Sequence, residues 1–271
     1  MPVVRDMAVA VARGLPTSWK KWIHNQVGLD TALRNAMGWA LGSGNETIAD
    51  GPMAGLKLAL SRHISHAHLG GTYERETQEA IAKYQPAGSV CYDLGASIGY
   101  LSILMGRKAK HVYAFEPSPE AQRELTRNAA ANGFGERVTL VPNPVSDRVE
   151  TVTFAITDTA YGSTIANEQT KWPTISVEST TLDRFAAANA APDFLKIDVE
   201  GFEGHVLDGG QETLAKKKPI ICCELHSVTA AERVLKALAP HRYRVIRLDG
   251  RPYQIEHSIT PGEVQVMCLP E

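Results

Sequence analysis

Cysteine is scarce: Cys91, Cys222, Cys223 and Cys268 are the only four in 271 residues, and none forms a Cys-x-x-Cys pair. That spacing excludes the common zinc-ribbon and dithiol redox motifs. All four fall in apolar, strand-like runs and read as buried free thiols of a reducing compartment. Long hydrophobic runs are also missing, and no stretch has the length needed to span a bilayer. Residues 1–15 are interrupted by Arg5, Asp6 and Arg13 and make a poor secretory leader, so a cytoplasmic location is expected. In that location Asn45-Glu46-Thr47 carries no meaning as a glycosylation acceptor. Charge of one sign is lacking too. The formal net charge of -2 gives no global attraction to nucleic acid or to an anionic membrane. Lys216-Lys217-Lys218 before Pro219 reads as a solvated helix end.

What is present is a long alternation of strands and helices. Residues 1–45 read as an N-terminal helical extension, with Trp19, Trp22, Ile23 and Val27 at helical spacing. That face is expected to pack on the main domain or to form a homodimer contact. Gly42-Ser43-Gly44-Asn45 reads as a linker, leaving residues 46–271 as the main domain. Residues 46–70 suggest short strands carrying His63, His66 and His68 as surface or interface histidines. From residue 72 the pattern predicts helices at 72–84, 100–107, 119–132, 181–188, 204–216 and 229–238. It predicts strands at 90–94, 111–115, 138–141, 194–197, 220–224, 243–247 and 264–268, with a strand insertion at 151–157 and 174–179. Apolar strands alternating with helices imply an α/β fold, a mostly parallel sheet with helices on both faces. Ligands of such sheets bind beyond the carboxyl ends of the strands.

The most informative segment is Val90-Cys91-Tyr92-Asp93-Leu94-Gly95-Ala96-Ser97-Ile98-Gly99-Tyr100. An apolar run reaches an acid, then a turn with two glycines, then a helix. Three ligand chemistries compete for it. A dinucleotide site needs Gly-x-Gly-x-x-Gly, but the middle glycine is absent and Asp93 would repel a pyrophosphate. Gly95-Ala96-Ser97-Ile98-Gly99 matches the Gly-x-Ser-x-Gly elbow of serine hydrolases, and Asp198 and His226 follow in the required order. That reading leaves Asp93 and Glu116 without roles. S-adenosylmethionine fits better, because it has no pyrophosphate and carries an amino group and a sulfonium. Asp93 can bind the amino group, directly or through water. Glu116, in Phe115-Glu116-Pro117, ends the next strand about 20 residues on, the offset of an acid that holds ribose hydroxyls.

The chain resembles the FkbM family of S-adenosylmethionine-dependent methyltransferases. The likeness spans Gly51-Pro52-Met53-Ala54-Gly55, Leu69-Gly70-Gly71-Thr72-Tyr73-Glu74, the segment Asp93 to Tyr100, Phe115-Glu116-Pro117-Ser118-Pro119 with Asn128, and Thr180-Thr181-Leu182-Asp183. Its most specific block is Leu195-Lys196-Ile197-Asp198-Val199-Glu200-Gly201-Phe202-Glu203-Gly204, and it ends in Glu224-Leu225-His226. The resemblance implies a class I methyltransferase (Rossmann-like) sheet and O-methylation of a hydroxyl on a sugar, a glycan or glycolipid, or a polyketide-type small molecule. It implies cofactor contacts from Asp93, Gly95, Ala96, Ser97, Gly99, Glu116, Ser146, Asp147 and Asp198, with Tyr73 and Glu74 closing over the methionine end. Ser97 stands where the family usually has Asn, and Pro144 where it usually has Ala.

Methyl transfer to a hydroxyl requires loss of the acceptor's proton. Two routes are open. His226, just past a strand, is a general base suited to neutral pH. Alternatively Asp198, Glu200 and Glu224 are oxygen ligands for Mg²⁺, which lowers the hydroxyl's pKa. Asp198 and Glu200 are two residues apart and share a side if the strand extends that far. Lys196 completes the catalytic set beside them, while Glu203 reads as a helix-start acid. The expected acceptor is a small molecule or glycan and not nucleic acid. Its pocket is expected to involve the N-terminal segment and the loop Ala160-Tyr161-Gly162-Ser163-Thr164.

Overall fold

The computed structural model describes residues 44–61, 63–155, 164–165, 173–258 and 264–271. The expected N-terminal helix with Trp19 and Trp22, and residues 160–163 of the insertion, lie outside the described residues. An antiparallel pair opens the described chain, β1 (Asn45–Thr47) and β2 (Lys57–Ala59). Then come α1 (His66–Gly70), α2 (Arg75–Tyr84), β3 (Val90–Leu94), α3 (Tyr100–Gly106), β4 (His111–Phe115), α4 (Pro119–Ala131) and β5 (Val138–Val141). The insertion holds β6 (Val145–Ser146), β7 (Thr151–Ala155), β8 (Thr164–Ile165), β9 (Thr174–Glu178) and β10 (Thr180–Thr181). The chain closes with α5 (Leu182–Ala188), β11 (Phe194–Ile197), α6 (Glu203–Asp208), α7 (Gln211–Lys216), β12 (Ile220–Leu225), α8 (Val228–Leu238), β13 (Tyr243–Arg247) and β14 (Val264–Pro270).

Seven strands form one sheet in the order β13-β14-β12-β11-β3-β4-β5. β14 runs antiparallel to both its neighbours, and the pairs from β12 to β5 are all parallel. Every residue of β3 and of β11 is buried, which is why these runs are apolar apart from the paired Asp93 and Lys196. Ile81, Leu101, Leu104 and Leu125 belong to the core on one face. Leu182, Val206, Leu207, Leu214 and Val234 belong to the core on the other. Helices therefore cover both faces, as expected. β3 lies beside β11, about 100 residues later in the chain, so the strand order reverses there and opens a crevice at their carboxyl ends. The four cysteines are buried and free.

Three local expectations need correction. Residues 66–70 form a helix, and His63, His66 and His68 are all buried rather than at the surface. Ser65 and His68 close the start of that helix through a reciprocal capping box, a signal that a strand reading of the histidines overlooks. The single helix expected at 204–216 is two, broken at Gly209–Gly210. A Cβ on Gly209 would sit 2.3 Å from the Ser146 carbonyl oxygen, so close packing on β6 interrupts the helix. The helix expected from residue 72 starts at Arg75, because Glu74 takes a left-handed conformation (φ 46°).

One buried side chain ties β2 to the glycine turn. Asn128 on α4 accepts from the Ala59 amide and donates to the Ile98 carbonyl, both at 2.8 Å. Removing an amide that satisfies two buried backbone groups leaves both unpaired. Asn128→Ala is predicted to lower stability by about 2–4 kcal/mol, read as an earlier urea midpoint. An unchanged midpoint would show that other contacts hold the turn.

Candidate active site

The turn between β3 and α3 lies against the end of β11. Gly95 (φ +77°) approaches so closely that a Cβ would fall 1.8 Å from the Asp198 carbonyl oxygen. The Gly95 and Ala96 amides donate to the Phe115 carbonyl at 3.1 and 3.0 Å. The next amide, of Ser97, donates to Glu116 Oε2 at 2.8 Å, and the Ser118 amide donates to Oε1 at 2.8 Å. Burial pushes the Glu116 carboxyl up to about 7, against the pull of these two amides and of Lys196. Gly99, at the start of α3, packs against Leu125.

Lys196 on β11 is the hub of the crevice. Its Nζ donates to the Gly95 carbonyl at 3.0 Å and to Asp198 Oδ2 at 3.1 Å, and lies 3.5 Å from Asp93 Oδ1. Burial opposes the ammonium charge, but Asp198, Asp93 and Glu74 outweigh it and hold the amine above its ordinary value. Asp93 itself is fully buried, with Ser102 donating to its other oxygen. It is not among the residues that line the cavity, whereas the sequence reading placed it on a ligand amino group directly or through water. Asp93 acts on the turn through Lys196.

A cavity of about 850 Å³ opens beyond these strand ends. Tyr73, Glu74, Gly95, Ala96, Ser97, Glu116, Ser146, Lys196, Asp198, Glu200, Glu224 and His226 all line it. Tyr73 stacks on His68 with centroids 4.1 Å apart. Glu74 Oε2 is buried with no hydrogen-bond partner. Burial raises the Glu74 carboxyl to about 7, although Lys196 draws it down. Asp147 departs from expectation. Its carboxylate turns to Arg233 Nη2 at 3.0 Å and His205 Nδ1 at 3.1 Å, off the cavity wall. Sequence reasoning missed Glu150 to Phe154 of the insertion, Ser179 and Gln265, which also line the cavity.

The acids that follow β11 gather around His226. Its Nδ1 meets Glu203 Oε1 at 2.8 Å, and its Nε2 lies 3.5 Å from Asp198 Oδ1 and 3.7 Å from Glu200 Oε2. Burial lowers the imidazole's pKa, but the Glu203 hydrogen bond and charge, then Asp198 and Glu200, push it up to about 9. These acids favour the charged imidazole, the form that cannot accept a proton. Both ring nitrogens face carboxylates, so the imidazole is not presented to Ser97 as a serine hydrolase requires. Glu203, fully buried and also accepting from the Gly201 amide at 2.9 Å, is a partner the sequence reading placed only in a helix start. The density of acids between Asp198 and Glu203 was its one visible signal.

The sheet order with its reversed β14 and the glycine turn at the end of β3 are those of a class I S-adenosylmethionine-dependent methyltransferase. Consistent with this, a family model described as the methyltransferase FkbM domain matches residues 93–245. The chain belongs to the FkbM methyltransferase family. The tRNA wybutosine-synthesizing protein 2 homolog of Danio rerio is 30% identical over 103 residues, covering 33% of this chain and 25% of that protein. The match therefore spans a quarter of that relative's length. Among solved structures, a methyltransferase FkbM from Methylobacillus flagellatus is 17% identical, covering 75% of this chain and 53% of its own, with a TM-score of 0.48. A SAM-dependent O-methyltransferase from Thermotoga maritima is 14% identical, covering 71% and 63%, with a TM-score of 0.42.

Glu74 supplies a prediction about pH. Its folded-state carboxyl lies above the ordinary 4.5, so the fold disfavours the charged form. The cost is absent below the unfolded value, grows as pH rises from there, and levels off above about 7. Glu74→Gln should raise the melting temperature near pH 8 and leave it unchanged near pH 4. A lower melting temperature at the higher pH would contradict the burial of this charge.

Proposed function

We propose that residues 46–271 catalyse methyl transfer from S-adenosylmethionine to a hydroxyl oxygen of a neutral sugar, glycan, glycolipid or polyketide-type small molecule. The observation that carries this reading is the pair of buried cavity acids, Glu74 and Glu116, beside a turn that only glycine can make at residue 95. The partnerless Glu74 oxygen suits the cofactor's ammonium, and ionised Glu74 gains an opposite charge that offsets its burial. Glu116 takes the ribose hydroxyls on the lone pairs its two backbone amides leave over. Ala96 and Ser97 flank the nucleoside, Ser146 serves the adenine side, and Tyr73 covers the methionine end.

When bound, S-adenosylmethionine would supply a methyl already activated by its sulfonium to the acceptor oxygen, with S-adenosylhomocysteine as the leaving group. Positioning then does most of the catalysis. Asp198, fixed by Lys196, and Glu200 accept hydrogen bonds from the acceptor hydroxyl and orient it. His226 takes the proton only from its neutral form, which three acids oppose. A cation beside these acids is the other route, and Mg²⁺ on Asp198, Glu200 and Glu224 is its all-oxygen version.

The name of the Danio rerio relative points to tRNA and so to a nucleic-acid acceptor. The cavity wall speaks against that. Among the described residues, Glu150, Asp198, Glu200 and Glu224 line it with Lys196 as the one lysine or arginine, a balance that disfavours a polyphosphate.

Calorimetry with S-adenosylhomocysteine tests the cofactor reading. Glu116→Ala should weaken binding about 10- to 100-fold, the loss of charge-assisted hydrogen bonds. Asp198→Asn should keep that affinity and abolish S-adenosylhomocysteine release with any hydroxyl acceptor the wild type turns over. No binding by wild type, or equal affinity in Glu116→Ala, sinks the assignment. Binding without turnover across neutral hydroxyl acceptors points to a non-catalytic cofactor-binding protein.

A further inference from the structure

The same strand ends carry a convergence of metal-ligand type, which shares Asp198 and His226 with the methyl-transfer reading. One donor atom from each of Asp198, Glu224 and His226 lies within 4.8 Å of the others. Asp198 follows β11, Glu224 lies in the neighbouring β12, and His226 follows β12, so the sheet itself brings the three to one edge. All three face the cavity. Asp198 Oδ1 and His226 Nε2 are 3.5 Å apart, long for a hydrogen bond. Two donors each about 2.1 Å from one tetrahedral ion lie about 3.4 Å apart.

Each of these side chains is also held from behind. Lys196 Nζ donates to Asp198 Oδ2 at 3.1 Å, leaving Oδ1 toward His226. Gln265 Nε2 donates to Glu224 Oε2 at 2.9 Å, and Thr77 in turn donates to Gln265 Oε1 at 2.6 Å. His226 Nδ1 is bonded to the fully buried Glu203 at 2.8 Å. A carboxylate on the far nitrogen of an imidazole is the usual device that fixes a metal-binding histidine. A divalent ion that displaces the proton on His226 Nε2 would meet two carboxylates and a neutral imidazole, two negative charges in all. The like charge of Lys196 is shared with Asp93 on its other side.

We propose that Asp198, Glu224 and His226 form a site for a first-row divalent transition-metal ion, with manganese and zinc the leading candidates. The imidazole donor favours these ions over Mg²⁺, which prefers oxygen. Glu200, with its side chain 55% exposed and 3.7 Å from Nε2, stays on the solvent side as a partner for a metal-bound hydroxyl or water. The metal's role in holding the acceptor oxygen rests on the methyltransferase reading, but the site itself does not.

The test is titration of chelator-treated protein with Mn²⁺ by calorimetry and with Co²⁺ by visible absorption. S-adenosylhomocysteine affinity is measured on the same samples with and without chelator. Wild type should bind one ion per chain and develop the cobalt band, and His226→Ala and Glu224→Gln should lose both. Glu203→Gln should weaken metal binding about 10- to 100-fold while leaving melting temperature and S-adenosylhomocysteine affinity close to wild type. Absence of Mn²⁺, Zn²⁺ and Co²⁺ binding by folded wild type overturns the proposal, as does wild-type metal affinity in both ligand variants. Mg²⁺ binding as tight as Mn²⁺ binding overturns the role of the imidazole. Metal binding with no affinity for S-adenosylhomocysteine would instead refute the cofactor reading and leave the metal site standing.

Discussion

Everything at the ligand edge of the sheet depends on one buried ammonium. Lys196 reaches the glycine turn through the Gly95 carbonyl, the end of its own strand through Asp198, and the neighbouring strand through Asp93. A buried charge is tolerated only when it is paired and hydrogen-bonded, and breaking such a set costs several kcal/mol. Lys196 therefore fixes how far the turn stands from Asp198. The absence of a side chain at Gly95 allows that distance, and the amides of Ser97 and Ser118 then fix Glu116. Charge pairing sets the geometry, and the packed helices on either face hold it.

The same edge stores unfavourable terms. Glu74, Ser97 and Glu200 are non-glycine residues with positive φ, at 46°, 49° and 53°, and all three line the cavity. Such conformations cost about 1–3 kcal/mol each and persist where surrounding contacts impose them. Two buried carboxyls raised to about 7 add electrostatic cost in the same place. A cationic ligand that met Glu74 would relieve part of that cost.

Much of the fold could be read from the chain because it rests on local patterns. Strands such as 90–94 and 194–197 are buried on both faces and apolar but for Asp93 and Lys196, and the helices between them repeat with the right period. Asp93 and Glu116 were visible as acids ending consecutive strands. Their environments were not visible. Asp93 is sealed beneath the turn, which no spacing reveals, and Asp147 is captured by Arg233 from a helix 86 positions away. The proton on His226 depends on Glu203, a contact made only when α6 packs beside β12. The break at Gly209-Gly210 did have a signal, the glycine pair itself, and the close approach to Ser146 shows why glycine stands there.

The central claim is that the Lys196-centred edge is built to hold S-adenosylmethionine, with acids at both ends of the cofactor. A crystal structure with S-adenosylhomocysteine measures this most directly. The ribose hydroxyls should lie within hydrogen-bond distance of Glu116, the amino nitrogen against Glu74, and the sulfur toward Asp198, with Asp93 still bonded to Lys196 and Ser102. A nucleoside seated away from Glu116, or an amino group bonded directly to Asp93 with Lys196 displaced, would contradict it.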